Sequence, residues 1–294
     1  MLEVSKVTRS FGSRQVLHDV SFTVSGGRMT GFVGANGSGK TTTMRIILGV
    51  LSSDSGTVTL DGKPLGVADR RRFGYMPEER GLYPKMKVAE QIVYLARLHG
   101  IAPAAAHRTT MALLERLGLQ ERANTTVESL SLGNQQRAQI AAALVHEPEI
   151  LILDEPFSGL DPIAVETVQG VLKDHAARGA PVLFSSHQLD IVERLCDDLV
   201  VIADGRVKAS GSRDALRAEH SAARYELLVP GSADWVRSEP SVTVTSLDDG
   251  HVVFQAENPD VAQRVLAKAL SLGAVLRFAP LEASLAQIFR EVIQ

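Results

Sequence analysis

The chain has 294 residues, with 31 Lys and Arg against 34 Asp and Glu, a formal net charge of −3 and 45% hydrophobic residues. That length suits one large domain plus a small one, and the near-balanced charge gives no global reason to expect nucleic acid or an acidic membrane surface as partner. The single cysteine, Cys196, excludes an intrachain disulfide framework and a cysteine-based zinc site, fits a reducing compartment, and reads as a small buried residue in a helix.

The first residues lack the basic start and apolar core of a secretory signal, and no stretch approaches the ~18 uninterrupted apolar residues of a membrane span. Residues 2 to 24 alternate as two strands about a Gly12-Ser13 turn. From Met29 to Gly49 apolar residues run through Gly34-Ala35-Asn36-Gly37-Ser38-Gly39 into Lys40-Thr41-Thr42 and a helical pattern. This is G-x-x-x-x-G-K-[ST] between a strand and a helix, the arrangement that cradles nucleotide phosphates. The glycines let the backbone curl until several N–H groups face one anion, Lys40 adds a cation, and Thr41 offers a hydroxyl to Mg²⁺. The loop alone does not separate a kinase, a GTPase or a motor.

Residues 55 to 62 read as a strand closed by an Asp61-Gly62 turn, so antiparallel strands flank the loop. Between about residues 86 and 146 the period turns helical: one helix ends at Gly100, a second at Gly118, and a third runs from the N-cap Ser131 until Pro148. Strand signals over Glu149 to Asp154 and Pro181 to Ser186, continuous apolar runs joined by a helix over about 164 to 178, predict parallel strands buried on both faces. A helix over Gln188 to Cys196 and a strand over Asp198 to Ala203 complete this part, which is predicted as an α/β P-loop core with an antiparallel β subdomain and a helical insertion. The residues after about Ser210 read as helix and linker, with the first domain ending near 215 and the linker over 216 to 223. From 224 to 294 the order strand, short helix near Asp234, two strands, helix, strand, helix predicts a small α+β domain in the order of the ferredoxin-like split motif.

Two further patterns carry chemistry. The strand ending at Leu153 delivers Asp154 and Glu155. In a P-loop fold such a strand is expected beside the P-loop strand, so that Asp154 holds Mg²⁺ and Glu155 orients and polarises an attacking water. His187 follows the strand ending at Ser185-Ser186; a lone histidine there is as often structural as functional, but it sits where an imidazole reaches a terminal phosphate.

The segment Leu130-Ser131-Leu132-Gly133-Asn134-Gln135-Gln136-Arg137, just ahead of the Asp154 strand, resembles the LSGGQ signature of ATP-binding cassette (ABC) transporter nucleotide-binding subunits. Leu132 replaces a glycine and Asn134 a glutamine; Ser131 and Gly133 remain. The resemblance covers roughly residues 2 to 215 and implies a role for each matching position. Phe11 matches the aromatic that stacks on adenine, Ser158-Gly159-Leu160-Asp161 the D-loop, His187 the switch histidine and Gly74 to Glu78 the Q-loop. Glu78 stands where most members carry glutamine, which adds charge near Mg²⁺ and the γ-phosphate; an acid there can ligate Mg²⁺ directly, so Glu78 joins Thr41 and Asp154 as an expected metal residue. The wording of YMPEERGLYPKM and DEPFSGLDP, with Leu281-Glu282 through Ile288-Phe289 near the end, is most similar to ABC-2-type exporters.

The resemblance implies ATP and Mg²⁺ as ligands and a peripheral place on the cytoplasmic side of the membrane. It further implies separately encoded membrane-spanning subunits, and two cassettes that sandwich ATP, each Ser131 serving the other chain's loop. An ATPase that gates a membrane complex without transport, and a soluble ABC ATPase acting on ribosomes or DNA, remain as alternatives.

Overall fold

Antiparallel pairing organises the start of the chain. β1 (Leu2–Phe11) folds back on β2 (Arg14–Val24) around Gly12, whose φ of +60° a glycine adopts without strain. The computed structural model describes residues 1–79, 81–220, 223–281 and 284–293. β3 (Met29–Val33) is buried along its whole length and leads through the glycine loop into α1 (Lys40–Ile47). β4 (Ser55–Leu60) and the two-residue β5 (Lys63–Pro64) extend the first sheet, in the order β2-β1-β4-β5. Neither β5 nor the one-turn α2 (Val67–Arg70) carries a periodic signal long enough to read in advance.

β6 (Phe73–Met76) precedes the helical insertion of α3 (Val88–Leu98), α4 (Pro103–Arg116) and α5 (Leu132–Leu144). Ser131 caps α5 as predicted, its hydroxyl accepting the Asn134 N–H. β7 (Ile150–Leu153), α6 (Pro162–Ala177), β8 (Val182–Ser186), α7 (Leu189–Leu195) and β9 (Asp198–Ala203) return the chain to the main sheet. β10 (Arg206–Ser212), an antiparallel partner of β9, has no counterpart among the expected elements, and its last residues fall where helix and linker were expected; its alternating exposure and lack of large apolar residues hide it.

The six-stranded sheet runs β10-β9-β3-β8-β7-β6, and this order corrects one expectation. β7 does not lie beside β3, because β8 pairs with both and separates them. Two strand spacings of about 4.8 Å leave roughly 10 Å between the glycine loop and the β7 carboxylates. The core packs Phe32, Met44, Ile47, Ile152, Leu183 and Ile202 against the antiparallel sheet. Burying each such side chain stabilises the fold by about 1.5–3 kcal/mol. Cys196 is buried as expected but is not helical: it follows α7 with extended backbone, because the chain must straighten there to enter β9.

The chain divides into two compact units at Arg213/Asp214, within α8 (Arg213–His220), so helix occupies much of the expected linker; residues 221 and 222 lie outside the described residues. In the second unit β11 (Arg224–Leu228), β12 (Val242–Asp248), β13 (His251–Ala256) and β14 (Arg277–Pro280) form an antiparallel sheet ordered β12-β13-β11-β14. α9 (Pro259–Leu272) packs Val261 and Val265 against Val252 and Phe254, and α10 (Leu285–Ile293) follows. The order is that of the split βαβ motif. The first crossover, where a short helix was expected near Asp234, is a 3-10 helix over Asp234–Ser238, a form that such short connectors commonly take. Glu282, expected to open the last helix, lies outside the described residues.

Candidate active site

The P-loop backbone takes its shape from its neighbours. A Cβ on Gly34 would lie 2.3 Å from the Ile202 carbonyl oxygen, and one on Gly39 would lie 2.5 Å from Leu17. Gly39 also sits at φ +109°, so the loop closes onto α1 only with glycine there. α1 begins at Lys40 with no acidic residue in its first turn, leaving its positive end open to an anion. Lys40 is buried and its ammonium donates to the carbonyl oxygens of Gly34 at 2.6 Å and Ala35 at 3.2 Å. Burial pushes the Lys40 pKa below its ordinary value, while Glu155, Asp154 and Glu78 act to raise it.

A cleft of roughly 400 Å³ opens where the parallel strands end, lined by Phe11, Asn36, Gly37, Gly39, Lys40, Thr41, Thr42, Glu78, Asp154 and Glu155, together with Arg14 and Val16. Ten positions chosen from the sequence thus come together in one place. Phe11 is half exposed at the rim, with the Arg9 guanidinium 5.0 Å from its ring centroid. The sheet register explains the acidic side: Met76 is paired with Leu153, so Glu78 and the Asp154-Glu155 pair leave adjacent strand ends. The Asp154 N–H donates to the Met76 carbonyl at 2.8 Å and locks that alignment.

Behind the two carboxylates stands a buried network that sequence patterns did not single out. The Ser185 hydroxyl accepts the Glu155 N–H at 2.8 Å and donates to Asp154 Oδ1 at 2.5 Å. Gln136 Nε2 donates to the Glu155 carbonyl at 2.9 Å. These bonds hold Glu155 at φ +52°, a left-handed conformation that costs a non-glycine residue about 1–2 kcal/mol. Both residues sit inside segments already chosen for neighbours, Ser185 beside His187 and Gln136 in the signature; only the strand order shows what they touch. Arg14, the first residue of β2, carried no signal.

His187 lies outside the cleft lining, and its Nδ1 is 2.9 Å from Glu155 Oε1, which ties the imidazole to the carboxylate. Gly34 and Ser38 shape the loop from beneath: Gly34 through its carbonyl on Lys40, Ser38 by accepting the Gly205 N–H at 3.1 Å. Ser131, Gly133, Asn134 and Asp161 do not reach the cleft. Ser131 is exposed at the start of α5, and Leu132 beside it is 58% exposed. The Asn134 amide oxygen accepts from Arg137, and Asp161 caps α6 by accepting the Ala164 N–H at 2.8 Å. A Cβ on Gly133 would meet Gly159 and Leu160 at 3.4 and 3.5 Å, so the D-loop and signature segments pack side by side.

The donors suit a magnesium ion. Asp154 is buried, and its Oδ2 has no hydrogen-bond partner among the described residues, which leaves a carboxylate oxygen for a hydrated cation. Among the described residues no three His, Cys, Asp or Glu side chains cluster closely enough to hold a metal by themselves. Magnesium is commonly held by one or two carboxylates with phosphate and water oxygens, so this sparse set fits it.

Residues 17–158 match the family model described as ABC transporter, and residues 211–293 match that of the DrrA1-3-like ATP-binding protein C-terminal domain. YhaQ, an ABC transporter ATP-binding protein of Bacillus subtilis, is 37% identical over 293 residues, covering 100% of this chain and 98% of its own. The chain belongs to the ABC transporter ATP-binding proteins. A Nod factor export ATP-binding protein of Burkholderia lata is 38% identical over 218 residues, 73% of this chain and 72% of the relative. A solved ATP-binding subunit of an ABC transporter superposes with a TM-score of 0.68 at 35% identity, over 74% of this chain and 92% of that one. As a member of this family the chain binds ATP and is an ATPase. No helix among the described residues is long and apolar enough to cross a membrane.

Proposed function

We propose that this ABC ATPase powers export, working as a pair of cassettes bound to membrane-spanning subunits on the cytoplasmic side of the membrane. The observation that carries the pairing is the position of Ser131: it is exposed at a helix start and absent from the lining of its own cleft. A signature hydroxyl so placed is available to the cleft of a second copy. Export is supported by the name of the Nod factor relative.

In this reading Phe11 stacks on the base, and the amides of residues 34 to 41 with Lys40 hold the phosphates. Lys40 exchanges its two carbonyl partners for phosphate oxygens. Thr41 and Asp154 would hold magnesium, with Glu78 on the same side of the cleft, and the ion would supply neutralisation of charge on the phosphate oxygens. Glu155 accepts a hydrogen bond from the attacking water and orients it in line with the γ-phosphate, and His187 steadies that carboxylate through Nδ1. Ser185 and Gln136 hold the Glu155 backbone where its side chain can do so. ATP binding closes the pair, hydrolysis opens it, and the membrane subunits follow by population shift.

Glu155→Gln tests the assignment. The variant is expected to bind ATP, to lose turnover by about 10²-fold or more, and to elute as an ATP-dependent dimer in size-exclusion chromatography with light scattering. Steady-state hydrolysis equal to wild type would refute the role of Glu155; a monomer at saturating ATP would refute the pairing.

A further inference from the structure

We infer that Glu78 makes nucleotide binding metal-obligate: its carboxylate turns the cleft against free ATP and admits the nucleotide as its magnesium complex. The inference rests on the nucleotide-site reading above and extends it to which ionic form of the substrate enters.

The charges lining the cleft are Arg14 and Lys40 against Glu78, Asp154 and Glu155, two positive against three negative, so the formal balance is −1. With a neutral residue at position 78 the same lining would balance to zero. The three acids differ in how they are engaged. Asp154 is bonded to Ser185 and Glu155 faces His187, whereas Glu78 is exposed at the rim and has no hydrogen-bond or ion-pair partner among the described residues. No direct bond among the described residues neutralises its charge. Lys40 gives its ammonium to the Gly34 and Ala35 carbonyls, yet it still senses all three acids.

Glu78 does not form a close three-carboxylate cluster with Asp154 and Glu155, so it acts on the phosphates across space. Its place is set by the backbone, since β6 and β7 run parallel in register and deliver it to the end of the cleft that the carboxylates occupy. A negative charge in the lining of a cleft that takes a polyanion disfavours binding, and a divalent cation bound with the polyanion offsets that repulsion. Solvent at the rim weakens the effect and makes it sensitive to salt.

The experiment compares ATP dissociation constants, measured by calorimetry on the full chain at low ionic strength, in excess EDTA and in excess magnesium. Wild type, Glu78→Gln and Glu78→Asp are compared. The wild-type protein is expected to bind far more weakly in EDTA than in magnesium. Glu78→Gln should narrow that gap by about threefold to tenfold, mainly by tightening binding in EDTA. Glu78→Asp, which retains the charge, should keep most of the gap, and added salt should shrink it in wild type more than in Glu78→Gln. Equal gaps in wild type and Glu78→Gln would overturn the inference, as would a gap that closes through loss of binding in magnesium. Failure of wild type to bind ATP in magnesium would overturn the nucleotide-site reading itself, and this inference with it.

Discussion

Replacing Ser185 by alanine removes one oxygen from the interior, and the structure states what that oxygen does. It is fully buried, accepts the Glu155 N–H at 2.8 Å and donates to Asp154 Oδ1 at 2.5 Å. Truncation leaves a buried N–H without a partner, at about 1–3 kcal/mol, and removes a hydrogen bond to a charged group, worth about 1.5–3 kcal/mol. Asp154 has no reserve, because its Oδ2 is already unpartnered. Allowing for partial relaxation, the loss is about 3 kcal/mol. For a unit of this size it corresponds to a melting shift of roughly 6–12 °C. Glu155 also loses the bond to its N–H, one of those that hold its left-handed backbone, so ATP turnover should fall more than nucleotide affinity does. Thermal melts followed by far-UV circular dichroism, with steady-state hydrolysis on the same preparations, measure both effects. Ser186→Ala is the internal control, since among the described residues the Ser186 hydroxyl accepts only the Gln188 N–H, at 3.0 Å, and should cost under about 1 kcal/mol. A Ser185→Ala protein that melts and turns over like wild type, or a Ser186→Ala protein equally damaged, would refute the argument.

Two further outcomes need no nucleotide. Burial, and then the stacked ring of His99, push the His146 pKa down from 6.5 to about 4. Between those values the unfolded chain binds the proton that the folded chain refuses, so stability falls as pH drops from about 6.5 towards 4. Burial lowers His175 in the same direction. Urea midpoints at pH 7.5 and pH 5 should therefore move apart less in His146→Gln than in wild type, and an equal spread would contradict the assignment. The buried Cys196 thiol is pushed up to about 12, so at pH 8 it should ignore a thiol-specific disulfide reagent in the native protein and react fully once unfolded. Stoichiometric labelling of the native chain would refute that.

The first layer of this protein is written locally. The glycine loop, the apolar strands running into Asp154 and Ser186, the Ser131 cap and the helix-ending glycines each need only neighbours in sequence, because turn geometry, capping and periodicity act over a few residues. From those local signals eight cleft positions and the α/β class could be named before any coordinates; Phe11 and Glu78 are implied only by the resemblance to the ABC family. Short elements without a repeating pattern could not: β10 alternates without large apolar side chains, and the Asp234–Ser238 turn is too brief to declare its type.

What the tertiary structure alone decided is adjacency. That β8 separates β3 from β7 follows from pairing between strands far apart in the chain, and no local preference encodes it. This order sets the gap between the P-loop and the carboxylates, puts Ser185 behind both acids and brings Glu78 to the cleft unpartnered. It also leaves Ser131 outside. The motifs named the parts by their chemistry, while hydrogen bonds between distant strands chose which parts share a site.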